Sequence, residues 1–170
     1  GVAALLRDPI RFGPTWQMVF MNFTVSGIGI FTAVKLDEIF RKWQFTDERI
    51  LLTGHWHILA TLTATILLLY YADLAGLKGK TRKWFGWLVI IFSDVAFAAV
   101  TVYEMKRLFI AEGEQQPLVN RAVLAGDIGV IILLIALAGL MVWRLIDLFK
   151  KKGRWHEESS HRLNKKEEVQ

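Results

Sequence analysis

The stretch ILLTGHWHILATLTATILLLYYA, Ile50–Ala72, decides the fold. Apart from His55, His57 and the two tyrosines at its end, it holds no ionisable side chain. At about 1.5 Å per residue, a helix of this length crosses the roughly 30 Å of a bilayer's hydrocarbon. In lipid a helix satisfies every backbone N–H and C=O within its own segment, so a run like this is helical. Thr46, Asp47 and Glu48 precede it as a hydroxyl cap followed by acids near the positive end of the helix dipole. The helix is therefore expected to begin close to Asp47. His55 and His57 then fall two to three turns in, within the outer third of the membrane.

Three further apolar runs accompany it: about Thr15–Val34, Trp84–Tyr103 and Val119–Ile146. Of the 170 residues 54% are hydrophobic, and the charges fall almost entirely between the runs. The expectation is an all-α, integral membrane four-helix bundle. Residues 1–14 form a cytoplasmic lead-in, 15–148 the membrane domain and 149–170 a charged cytoplasmic tail. With no cysteine there is no disulfide, no thiolate metal site and no covalent c-type haem.

The net charge of +5 reads by membrane side and not as affinity for nucleic acid. Two thirds of the lysines and arginines lie on the face shared by the N-terminus, the Ala72–Lys83 loop and the tail. The positive-inside rule places that face, with both termini, in the cytoplasm of a prokaryotic multi-pass membrane protein. Gly76 and Gly79 mark a turn in the inner loop.

Ionisable groups inside spans cost a few kcal/mol even on the mildest scale, so they are the candidates for function. They are His55, His57, Asp94 near mid-depth, Asp127 in the outer third and Glu104 at the outer rim. Residues two apart on a helix differ by roughly 200° around its axis, so His55 and His57 point to opposite sides. They do not grip one ion together, but each can offer an imidazole to its own flat cofactor. Neutral imidazole is a common axial ligand of haem iron, and b-type haem needs no cysteine. Asp94, Asp127 and Glu104 are candidates for proton transfer, the two aspartates also for holding a histidine N–H. Arg107 and Arg121 lie on the outer side as candidates for haem propionates. No residue is singled out as catalytic.

Thr53-Gly54-His55-Trp56-His57 resembles the H-x-H motif of the haem–copper oxidase superfamily catalytic subunit, particularly its nitric oxide reductase branch. Ser26-Gly27-Ile28-Gly29-Ile30-Phe31, Leu67–Tyr71, Trp84-Phe85-Gly86-Trp87 and Ala125-Gly126-Asp127 are similar to segments of that family's last four membrane helices. The resemblance covers roughly Thr15–Leu148. It implies His55 as ligand to a high-spin haem and His57 as ligand to a low-spin haem. The family's second low-spin ligand and its three histidines for copper or non-haem iron have no counterpart in these spans. Either helices of another polypeptide complete the centre, or the haem chemistry is simplified or lost.

The expectation is a haem-binding membrane subunit of a respiratory electron-transfer complex, at most part of an oxidoreductase. Its partners would be other membrane subunits and the lipid bilayer. A second reading is a cytochrome b-type quinol-oxidising anchor, with a quinone near Trp56 and the outer acids. A third is a structural membrane subunit without cofactor.

Overall fold

The computed structural model describes residues 2–42, 45–106, 110 and 115–150. Among these the secondary structure is all-helical: α1 (Val2–Arg7), α2 (Pro9–Val34), α3 (Leu36–Lys42), α4 (Phe45–Leu74), α5 (Gly79–Glu104) and α6 (Gln115–Phe149). Three of them, α4 from Leu52 onward, α5 and α6, are long and apolar enough to cross a membrane. The chain therefore has the build of a multi-pass membrane protein.

Helix α2 matches them in length, with 26 residues or about 39 Å, and carries no Asp, Glu, Lys or Arg after Arg11. Arg11, Gln17 and Asn22 interrupt it. It also begins earlier than the expected span, within the stretch read as a lead-in. Pro9 opens it at a position where a missing N–H costs nothing, and the helix then runs through Pro14. Helix α4 is already helical at Phe45, ahead of the expected start near Asp47. The side chains of Thr46 and Asp47 lie outside the described residues, as do Arg107 and the tail from residue 151.

Helix α5 is central and packs against α2, α4 and α6, while α2 also lies along α4. Among the described residues no comparable packing joins α4 to α6. Between helices in lipid, close backbone approach replaces the hydrophobic drive, and small residues permit it. A Cβ on Gly129 of α6 would stand 2.8 Å from the carbonyl oxygen of Phe92 and 3.0 Å from the Ala96 Cβ. Ala122 and Gly126 continue this buried seam towards the start of α6. Elsewhere α6 turns outward, with Leu124, Ile131, Leu134 and Ile135 all more than half exposed.

At the lower end, where α4 ends and α5 begins, Gly76 and Gly79 take left-handed backbone angles of 77° and 59° in φ. Only glycine adopts these without a steric cost. Arg82 ties three segments together there. Its Nε and Nη2 donate to the two carboxylate oxygens of Asp8, each at 2.9 Å, and Nη2 reaches Asp73 Oδ1 at 2.7 Å. Burial alone would raise the Asp8 carboxyl, but Arg82 and Arg11 outweigh it and hold Asp8 below its ordinary value. Ile10, Leu69, Ala72 and Ile90 form the core at this end, and Ile28, Ile58, Leu62 and Phe97 form a second core above it.

Candidate functional site

Helix α4 is apolar around its circumference, so it can bury one side against α2 and another against α5. The two histidines divide between those sides. The ring of His55 lies towards α2: a Cβ built on Gly29 would be 3.5 Å from its Cε1 and 3.9 Å from its Nε2. Its Nδ1 is buried with no hydrogen-bond partner among the described residues. His57 is exposed on the side facing α5 and α6. Its Nδ1 is 2.7 Å from the carbonyl oxygen of Thr53. A carbonyl can only accept, so Nδ1 carries the proton and Nε2 keeps its lone pair.

His57 borders a cavity of about 660 Å³ between α4, α5 and α6, walled also by Arg49, Thr53, Thr61, Phe97, Tyr103 and Glu104. That volume is in the usual range for cofactor pockets, roughly 300–1,000 Å³. Glu104 is 4% exposed, and neither of its carboxylate oxygens has a hydrogen-bond partner among the described residues. Its side chain lies over Gly54, where an added Cβ would stand 2.7 Å from Cγ and collide with the carboxyl group. Gly54 thus lets α5 place a carboxylate one turn of α4 above His57. Lys106 sits above this corner, its Nζ 4.5 Å from the Tyr103 ring centre.

A second space of about 420 Å³ lies below it and shares Thr61 and Val130 on its walls. Ala64, Thr65, Leu68 and Tyr71 of α4 form one wall, and Leu133, Leu134 and Leu137 of α6 the other. The threonines do not make it polar. Thr61 Oγ1 donates to the His57 carbonyl at 2.7 Å and Thr65 Oγ1 to the Thr61 carbonyl at 2.8 Å. Both hydroxyls are spent on their own helix.

The remaining candidates lie elsewhere. Asp94 faces α2 at mid-depth, accepting from Trp16 Nε1 at 2.6 Å and Gln17 Nε2 at 2.9 Å, and Gln17 also donates to Ser93 Oγ. Asp127 and Arg121 are exposed on α6 and line neither space. Trp56 is 70% exposed, on neither wall. Arg49 takes the place at the rim that Arg121 was expected to hold. The sequence does not single it out, although it sits about two turns before His57.

A b-type haem can be tested against these residues. His57 fits an axial ligand: its tautomer is set by Thr53, and its free nitrogen belongs to a residue on the wall of a cavity of suitable size. His55 lies away from this cavity, with the Cε1–Nε2 edge of its ring beside Gly29 of α2. No group of three or more His, Cys, Asp or Glu gathers for a metal ion among the described residues. No protein-family model, curated protein or solved structure matches the chain.

Proposed function

We propose that this chain is a haem-binding subunit of a respiratory electron-transfer complex. It spans a prokaryotic cytoplasmic membrane four times, with α2 as the first span and both termini in the cytoplasm. The distribution of lysine and arginine supports that orientation, and the charge-free run after Arg11 with the internal pairing of Gln17 supports α2 as a span. The cavity of His57 then lies near the outer face.

One observation carries the haem reading: Thr53 holds His57 Nδ1–H, which leaves Nε2 as a ligand atom in a residue bordering the cavity. A backbone acceptor on the far nitrogen fixes the ring and raises its basicity, as second-shell partners of metal-bound histidines do. A bound b-type haem would supply a one-electron carrier. His57 would hold its iron, and Arg49 at the rim would favour anionic propionates. Partner helices would supply the ligands that these spans lack and, with them, the reduction of nitric oxide or oxygen. The H-x-H resemblance supports this assignment for His57, while His55 serves the contact between α4 and α2.

The test is the reduced-minus-oxidised optical spectrum of the purified complex. His57→Ala should abolish one haem's Soret and α-bands, and His55→Ala should leave them in place. Unchanged bands in His57→Ala would overturn the reading.

A further inference from the structure

We infer that Gln17, Ser93 and Asp94 form a binding site for a small monovalent cation, sodium, in the seam between α2 and α5. None of the three lines the His57 cavity, so the site stands whatever that cavity holds.

Charge is the first argument. Asp94 lies at mid-depth and accepts from Trp16 Nε1 through Oδ2 and from Gln17 Nε2 through Oδ1. Acceptance from N–H donors at both oxygens is the pattern of an ionised carboxylate. Both donors are neutral, and among the described residues no cationic side chain pairs with Asp94. A charge inside a span is ordinarily paired, so the site calls for one positive charge.

The direction of the lone pairs is the second. Ser93 Oγ donates its proton to the Ile90 carbonyl at 2.9 Å, so towards Gln17 it can only accept. Trp16 holds Asp94 Oδ2, which leaves Oδ1 for the same Gln17 amide. Two acceptor oxygens thus converge, each 2.9 Å from Gln17 Nε2. Gln17 is fully buried, and its Oε1 has no hydrogen-bond partner among the described residues. A half-turn of the amide exchanges its nitrogen and oxygen. Oε1 then stands beside Ser93 Oγ and Asp94 Oδ1, and three oxygens so placed repel one another unless a cation lies between them. In the orientation described here the NH2 group takes that place.

The ligand chemistry selects the ion. Carboxylate and carbonyl oxygens suit hard cations. A divalent ion would leave a positive charge unbalanced in the membrane, whereas a monovalent one makes the site neutral. Potassium is larger and is held by whole rings of carbonyls, so a cage of three side-chain oxygens fits sodium better. The bound ion bridges α2 and α5, and its occupancy is read as stability, because only the folded chain assembles the site.

The experiment follows unfolding of the purified complex in detergent while NaCl replaces KCl at constant ionic strength. The expected midpoint rises with sodium and saturates. Asp94→Asn, which keeps an acceptor for Trp16, should abolish the response. Ser93→Ala should raise the sodium concentration at half-effect about tenfold, as loss of one ligand oxygen requires. Asp127→Asn, at an exposed position of α6, should leave the response as it is. Radioactive sodium retained on the folded complex should differ by one ion per chain between the wild type and Asp94→Asn. A wild-type midpoint indifferent to the exchange of sodium for potassium would overturn the site and leave the three residues as a clamp between helices. A sodium response that survives Asp94→Asn, or equal sodium retention in that variant, would overturn it as well.

Discussion

The carboxyl group of Glu104 rests on the α-carbon of Gly54, so that the end of α5 and the beginning of α4 meet without a side chain between them. Glu104 is buried there without a hydrogen-bond partner among the described residues. In a membrane such a group is costly, and its retention points to use.

Gly54→Ala puts a methyl group into the space that Glu104 occupies. Overpacking of this kind costs about 1–3 kcal/mol. The expected result is a lower unfolding midpoint in detergent titration, recovered in large part by Gly54→Ala/Glu104→Ala. A double mutant no more stable than the single one would mean that the two residues are not coupled.

The seam between α5 and α6 makes a parallel prediction. Gly129→Val should loosen α6, because the Phe92 carbonyl and Ala96 are backbone neighbours that cannot swing aside. Gly139→Val, with nothing within 4 Å, should be silent. Protease accessibility of the lower half of α6 distinguishes the two variants.

Asp94 holds α2 against α5. Asp94→Ala leaves Gln17 Nε2 with Ser93 alone and Trp16 Nε1 without its acceptor. The expected loss is about 1–2 kcal/mol, in keeping with interhelical hydrogen bonds in membranes. Asp94→Asn keeps an acceptor and should recover most of it. Equal losses in both variants would show that charge, and not bonding, matters at this position.

Acid should weaken the lower end. Asp8 is held below its ordinary value, so it binds its proton more readily in the unfolded chain than in the folded one. Its contribution is complete above the unfolded value of about 3.9 and is lost as pH falls through the lowered folded value. Stability should therefore fall below about pH 4. In Arg82→Gln the unfolding midpoint should depend less on pH over that window. An identical pH profile would remove the Asp8–Arg82 pair from the account.

Much of the helical layout is legible in the sequence, because length and apolarity fix a membrane helix almost without tertiary information. The Asp8-Pro9 pair is a helix-start signal that a search for uninterrupted apolar runs overlooks, which is why α2 begins before Thr15. The opposite facing of His55 and His57 follows from helical geometry and appears in their different surroundings. Which of them meets α5 does not follow, because α4 is apolar on all sides and its rotation is set by α2. Glu104 and Gly54 are 50 residues apart in sequence and come together through packing alone. The slot between α4 and α6 arises from two helices failing to pack, and no local pattern encodes that.

The account depends above all on what lies against His57. A density map of the intact complex, resolved well enough to trace side chains in α4, tests it directly. The prediction is flat, ring-shaped density ending on the Nε2 of His57 within the cavity bounded by Glu104 and Phe97. Density of that shape on the α2 side of His55, or His57 meeting only lipid chains, would contradict it.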